Sequence, residues 1–236
     1  MLNRVLEPEW TDDSADSWLY DQMDHLGVNT RFVEDLVTAG AVGPDVLDLG
    51  TGTARIPILL CQRLPTVRVM AVDAAISMLE LARTNIDIAG LLDRIQLEHA
   101  DAKIMEVFTD PLFDTVVSNS LLHHVPDPLV VLRQSIRLLK PGGRIFYRDL
   151  LRPDSSQAVE DLVQQHARDQ ALQAQQLLRQ SLHAALTLAE AKRLAQQAGL
   201  PHDSVSVTSD RHWTLDTVIG SSPTTGVASH GQGNIP

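Results

Sequence analysis

The sequence predicts an α/β protein built on a parallel, doubly wound sheet, and three observations carry that prediction. Between residues 45 and 150, short apolar runs alternate with helix-patterned stretches, as βαβ units do. The first of these runs, Val46-Leu47-Asp48-Leu49-Gly50, leads directly into a Gly-x-Gly turn and a helical pattern. An acidic residue, Asp73, closes the second run. That is the place where doubly wound folds hold a carboxylate for ribose hydroxyls.

Each element follows from local pattern. Residues 30–39 carry apolar residues at helical spacing within a polar N-terminal stretch, 1–44, which is expected to form a helical lid. Strands are expected at 46–50, 67–72, 94–99, 114–118 and 143–149, with helices near 53–64, 77–89 and 127–139. Ser77 and Glu80 have the spacing of a capping box, which starts the second helix there. Pro141-Gly142-Gly143 is a turn signal that closes the third helix and launches the fifth strand. Residues 154–182 form a glutamine-rich insertion whose stripe (Val159, Leu162, Val163, Ala167, Ala174, Leu177, Leu178, Leu182) predicts a packed amphipathic helix across the sheet's edge. Such a helix is expected to cap the domain, 45–219, and to roof an acceptor pocket. Thr187 and Glu190 make a second capping box, opening a helix that ends at Gly199. The runs 204–208 and 211–215, parted by Ser209-Asp210, predict an antiparallel hairpin. The tail, 220–236, is rich in Gly, Ser, Thr and Pro and is expected to be disordered.

Composition narrows the function. The chain has 236 residues, 44% hydrophobic and 21% charged, enough for one medium domain with a core. No apolar run reaches the ~18 residues of a membrane span. The start, MLNRVLEPEW, lacks a secretory pattern, so a cytoplasmic location is expected. Cys61 stands alone, which excludes an internal disulfide and mechanisms needing paired thiols. A net charge of −11 disfavours polyanion partners, so no nucleic acid is expected. The arginines at 144, 148 and 152 read as ion-paired surface groups rather than a phosphate track. A small-molecule substrate fits best, and oligomeric state is not legible.

The glycine loop sharpens this. Gly50 and Gly52 permit a tight turn and close approach of a ligand to the backbone, with the helix N-terminus behind it. A nicotinamide dinucleotide is one candidate. Its fingerprint wants a third glycine where Arg55 stands, however, and Asp48 sits badly beside a pyrophosphate. The ligand is expected to lack phosphates.

At this point the sequence resembles the class I S-adenosylmethionine-dependent methyltransferases, with motifs of the ubiquinone/menaquinone-methyltransferase type, over roughly residues 20–215. LDLGTGTAR resembles the family's glycine-rich motif, with Ala54 in place of a frequent third glycine. AVDAAISMLELA resembles the segment with the ribose-binding acid, here Asp73 followed by Ala74, and an adenine-packing methionine, here Met78. HADAK sets Asp101 and Ala102 where the family meets the adenine edge. FDTVVSNSLLHHVPDP resembles the fourth motif, with Asn119 beside the cofactor, and LLKPGGRIFYRDL the fifth-strand segment. The resemblance implies a Rossmann-like sheet in the order 3-2-1-4-5-7-6 with the last strand antiparallel. It implies S-adenosyl-L-methionine as cofactor, held by the Gly50-Thr51-Gly52 backbone, Asp73 on the ribose, Asp48 near the loop or the ammonium, and Tyr20 near the carboxylate. Met78 also reads as ordinary core packing.

Methyl transfer from a sulfonium is an in-line displacement in which alignment carries most of the catalysis. The fourth strand runs into His123 and His124, a pair able to titrate near neutrality, and the fifth ends at Asp149. These three are the catalytic candidates, each with a structural alternative: satisfied histidines and a salt-bridged carboxylate. Arg148 and Asp149 point to opposite faces of their strand, so only one can face substrate. His-His-x-x-Asp invites a metal, but without a further ligand in the sequence none is expected. The Asn-Pro-Pro-Tyr motif of many amino-group methyltransferases is absent, which weakens nucleic-acid-base and amide methylation. Trp18, Tyr20, Asp21, Met23, Asp24 and His25 form an aromatic-acidic lid cluster, and His212 and Trp213 are candidates for the pocket's edge. The expected function is methyl transfer to a small molecule. A nucleic-acid methyltransferase and a non-catalytic nucleoside-binding regulator of the same fold are the alternatives.

Overall fold

A computed structural model describes residues 2–7, 12, 14–22 and 26–220. The expectations for Met23, Asp24 and His25, and for the tail beyond Gly220, fall outside the described residues. Five strands, β1 (Asp45–Leu49), β2 (Arg68–Asp73), β3 (Ile95–His99), β4 (Phe113–Asn119) and β5 (Leu139–Leu150), pair in parallel. The hairpin of β6 (Val205–Val207) and β7 (His212–Val218) adds antiparallel to β5. The sheet order is β3-β2-β1-β4-β5-β7-β6. Central strands are buried on both faces, which is why β1 and β4 read as near-continuous apolar runs.

Helices α2 (Leu26–Ala39), α3 (Arg55–Arg63) and α4 (Ile76–Ile88) cover one face, where Phe32, Leu36, Leu60 and Ile86 meet Val46, Ala71 and Phe146. α5 (Pro128–Leu138) and α8 (Leu188–Gln197) cover the other, with Leu132, Leu138 and Leu194 around Leu47, Ile145 and Trp213. Phe32, Val33 and Leu36 are buried, so α2 belongs to the core. Of the described residues in the expected lid, 1–44, α1 (Ser14–Gln22) and the strap 2–7 lie over the carboxyl ends of the strands.

The two capping boxes had different fates. At α8 both halves form: the Thr187 side chain accepts from Glu190 N, and Glu190 accepts from Thr187 N. At α4 the box is absent. The helix begins at Ile76 behind Ala75, which offers no cap, and Asp12 reaches in to accept from Ile76 N, Ser77 N and the Ser77 hydroxyl. A carboxylate supplied from outside the helix satisfies the first two backbone donors of a helix that begins before Ser77, so Ser77 is not its cap.

Pro141-Gly142-Gly143 lies within β5 as a bulge. Pairing moves from Phe113↔Leu139 to Thr115↔Arg144, so β5 carries three more residues than β4 over this interval. Gly142 has φ +79°, and a Cβ on Gly143 would meet Leu139 and the Lys140 carbonyl at 2.8 and 2.9 Å, so glycine is required at both.

The insertion is two helices, α6 (Ser156–Ala167) and α7 (Leu172–Ala184), not one. Folding back lets Val159 and Val163 from one and Leu182 from the other close on Leu150 and Ala185. Arg168, Asp169 and Gln170 are left exposed at the turn, while Leu177 points largely outward. The hairpin sits beyond the carboxyl end of β5 and against the 3-10 turn Leu122–His124, rather than across an edge strand. The arginines are ion-paired as expected, Arg144 with Asp216, Arg148 with Asp35 and Arg152 with Glu190, but they are buried.

Candidate active site

The loop after β1 is shaped by three left-handed residues, Gly50 (φ +70°), Gly52 (φ +55°) and Ala54 (φ +61°). Ala54 therefore occupies a conformation that glycine takes more cheaply. Gly50 N and Thr51 N both donate to the Val72 carbonyl, and Gly52 N donates to Asp73 Oδ2 at 2.8 Å. A Cβ on Gly50 would lie 2.9 Å from Leu121 of the loop after β4, so the two loops close on each other. That second loop turns through Ser120, a non-glycine residue at φ +58°. Backbone strain of this sort collects at functional sites, and nothing in the sequence signals it.

Beside the glycine loop lies a cavity of about 310 Å³, walled by Tyr20, Asn29, Gly50, Thr51, Gly52 and Asn119, with Ile56 and Leu59 from α3. Three buried atoms at this end of the sheet, Asp48 Oδ2, Thr51 Oγ1 and Asn119 Oδ1, have no hydrogen-bond partner among the described residues. Burial pushes the Asp48 carboxyl up to about 7; the nearby Thr51 hydroxyl opposes this, and the charge of Asp73 adds to it. Buried polar atoms left unpaired are costly, so a polar ligand at the loop would relieve them. A carboxylate beside a glycine loop suits an ammonium-bearing ligand better than a pyrophosphate. The site fits the zwitterionic tail of S-adenosylmethionine.

The other expected cofactor residues surround the neighbouring strand ends. Asp73 accepts from Gly52 N and Ala75 N, and burial raises its pKa against these bonds. Ala74 offers its carbonyl to His99 Nε2, Met78 is buried at the start of α4, Ala102 is buried, and Asp101 accepts from Lys103 N. These five do not line the cavity wall. α1 lies over their side of the site, joined by Ser17 Oγ to Ser77 Oγ at 2.7 Å and by the Asp21–Arg55 ion pair. Arg55 thus points away from the strand, into the lid.

The three catalytic candidates separate. Asp149 is buried and accepts from Leu122 N, Leu150 N and His123 Nδ1, the last at 2.6 Å. Burial pushes its carboxyl up, but the His123 charge and these bonds outweigh burial and hold it ionised. Burial pulls the His123 imidazole down, and the Asp149 charge overcomes this and raises it. His124 is half-exposed and pairs with Glu7 through Nδ1. His212 and Trp213 are buried and off the cavity, His212 held to about 4 by burial and by Arg211 and Arg148. Trp18 is exposed.

Sequence reasoning missed the strap. Arg4 donates to the carbonyls of Ala184, Leu122, His123, Val125 and Pro126, and Glu7 accepts from Ser181 and faces His124. Neither residue belongs to any local motif.

Residues 46–143 match a family model described as a methyltransferase domain. The chain is 34% identical over 119 residues to the 27-O-demethylrifamycin SV methyltransferase of Amycolatopsis mediterranei, covering 50% of this chain and 43% of that protein. It is 36% identical over 132 residues to the release factor glutamine methyltransferase of Chlorobaculum tepidum, covering 50% and 44%. The chain thus spans under half the length of these relatives. A SAM-dependent methyltransferase structure from Aquifex aeolicus superposes with a TM-score of 0.63 over 88% of this chain and 98% of that one, a likeness of fold at 17% identity. The strand order and the glycine loop agree with the match of residues 46–143 to a methyltransferase domain.

Proposed function

We propose that this protein transfers a methyl group to a small-molecule acceptor. The observation that carries the reading is the set of unpaired buried oxygens of Asp48, Thr51 and Asn119 beside a phosphate-averse glycine loop. S-adenosylmethionine supplies the electrophilic methyl on a sulfonium. Asp48 pairs with the ammonium, the Gly50–Gly52 backbone lies against the amino-acid tail, and Asn119 accepts a hydrogen bond from it. Asp73 takes the ribose diol on the lone pairs that its two backbone donors leave free. Tyr20, Ala74, Met78, Asp101 and Ala102 enclose the rest.

On the acceptor side, Asp149 acts as a positioning residue. Three donors fix its carboxylate, and its grip on Nδ1 leaves Nε2 as the ring nitrogen of His123 available to an acceptor. His123, in its neutral form, would take the acceptor's proton at Nε2 as the acceptor–carbon bond forms and the sulfonium's carbon–sulfur bond breaks to leave a neutral thioether. The α6–α7 hairpin and the strap cover this side and exclude water. The release factor relative acts on a glutamine, but the segment here reads Asn119-Ser120-Leu121-Leu122, without the prolines and aromatic residue of the amino-group motif.

The test is transfer of labelled methyl from the cofactor to a panel of small hydroxylated and amine acceptors, beside titration of S-adenosylhomocysteine by calorimetry. Binding with transfer supports the reading. Binding without transfer to any small molecule leaves a nucleoside-binding protein, and absence of binding overturns the site.

A further inference from the structure

One cluster at this end of the molecule has no part in holding the cofactor. Among the described residues, Glu7, His123 and His124 each present one potential ligand atom, and these atoms lie within 4.8 Å of one another. Zinc bound to imidazole nitrogen and carboxylate oxygen at about 2.0–2.2 Å needs its ligands about 3.4 Å apart in tetrahedral geometry. The cluster's atoms span that separation, from the His124–Glu7 contact up to the 4.8 Å limit. The His124–Glu7 pair is already in contact, and the two imidazole rings stand 4.1 Å apart, tilted by 39°.

The surroundings are those of a metal site. Asp149 occupies Nδ1 of His123 at 2.6 Å, so Nε2 is the coordinating nitrogen, with a carboxylate behind the histidine. Ser181 donates to Glu7 Oε1, leaving Oε2 on the His124 side. Outer hydrogen bonds of this kind orient metal ligands and raise their basicity. Glu7 is delivered by the strap, which Arg4 anchors to five carbonyls and Val5 N ties to the His183 carbonyl at 3.1 Å. Two imidazoles and one carboxylate suit a late first-row divalent ion and leave a position open for water or an acceptor atom.

We propose that Glu7, His123 and His124 form a binding site for a divalent ion of the zinc type, and that the ion fastens the strap over the acceptor side. Because it takes Nε2 of His123, it inhibits methyl transfer. The binding claim stands on the cluster alone, whereas the inhibitory consequence rests on the proposed role of His123.

The test uses the full, untagged chain titrated with cobalt(II), read by its visible ligand-field absorption, and with zinc(II) against a colorimetric chelator. One equivalent is expected to bind, with the absorption of a low-coordinate nitrogen–oxygen site. Glu7→Gln and His124→Ala each lower the affinity by at least the ~10–100-fold that loss of an outer partner costs, and Asp149→Asn falls within that range. Unchanged S-adenosylhomocysteine affinity in Glu7→Gln shows that the variant is folded. Absence of stoichiometric binding, or binding that survives both Glu7→Gln and His124→Ala, overturns the site. In the transfer assay, zinc inhibits the wild type and loses its effect on Glu7→Gln. Inhibition equal in both overturns the strap mechanism, and failure to find transfer bears on the proposed function without touching the binding result.

Discussion

The two ends of the same sheet are built on opposite terms. At the amino end of the strands lies the larger cavity, about 470 Å³, lined by Lys140, Arg144, Asp114 and Asp216 among others. Its charges satisfy one another: Lys140 bridges Asp45 and Asp114, and Arg144 forks onto Asp216. Among the described residues the unpaired buried atom there is Thr115 Oγ1, a neutral hydroxyl. At the carboxyl end the cavity is smaller, yet oxygens of Thr51 and Asn119 on its wall and of Asp48 at the base of the glycine loop are buried with no partner among the described residues. Unsatisfied polar chemistry, rather than volume, distinguishes the end that is made for a ligand.

The largest expected effect tests whether chemistry belongs to the carboxyl end. His123→Gln is expected to lower methyl transfer by ~10²–10⁴-fold in single-turnover measurements, with S-adenosylhomocysteine affinity nearly unchanged. Were His123 only a packed partner of Asp149, the melting temperature would fall while the rate constant of the folded fraction stayed the same.

Next comes Asp73→Ala. It removes a carboxylate that accepts from Gly52 N and Ala75 N and that is proposed to hold the ribose. With charge-assisted bonds at ~1.5–3 kcal/mol each, affinity for S-adenosylhomocysteine should drop more than tenfold by calorimetry. Equal affinity would remove the nucleoside from this strand end.

Asp48 gives the comparison a pH signature. Its folded pKa, about 7, lies above the ordinary carboxylate value near 4, so between those limits the folded protein holds a proton that the unfolded chain has released. Stability therefore falls as pH rises from about 4 through about 7, by up to roughly 4 kcal/mol for a shift of this size. Asp48→Asn is expected to melt increasingly above the wild type as pH is raised from 5 to 8, in the absence of ligand. Cofactor binding, which favours the ionised form, should release a proton and tighten several-fold over the same range, and Asp48→Asn should lose that dependence. A flat affinity profile in the wild type would place the ammonium elsewhere.

The smallest effect belongs to the opposite end. Lys140→Met breaks two partly exposed ion pairs, worth about 1 kcal/mol or less together, and is expected to lower the melting temperature slightly. S-adenosylhomocysteine affinity should not move. A loss of affinity would show that the larger cavity takes part in binding after all.

Much of this was legible because the signals are local. The strand-loop-helix at Val46–Arg55 is written in consecutive residues, and buried parallel strands need apolar runs that alternation-free sequence reveals directly. The capping box at Thr187 and Glu190 formed because helix and cap share one backbone segment. The box at Ser77 failed for the complementary reason. Asp12, remote in sequence, is a charged acceptor that caps the helix at Ile76 N and Ser77 N instead, and no short window of residues contains both segments. The long stripe from Val159 to Leu182 did not reveal the break at 168–171, because two antiparallel helices can bury one periodic pattern as well as a single helix does.

By itself, then, the sequence determined the class of fold, the strand order through its motifs, the glycine loop with its acid at Asp73, and the aversion to phosphate expressed by Asp48 and Arg55. Only the tertiary structure decided which charges stay paired. It buried Arg144, Arg148 and Arg152 against acids from remote segments, and it joined Asp149 to His123 across the β4–β5 boundary. It also brought Glu7 from the strap to His124. The reason is physical: a periodic pattern records burial along one element, whereas an ion pair or an orphaned oxygen is fixed by the distance between elements, and that distance exists only after the chain has packed.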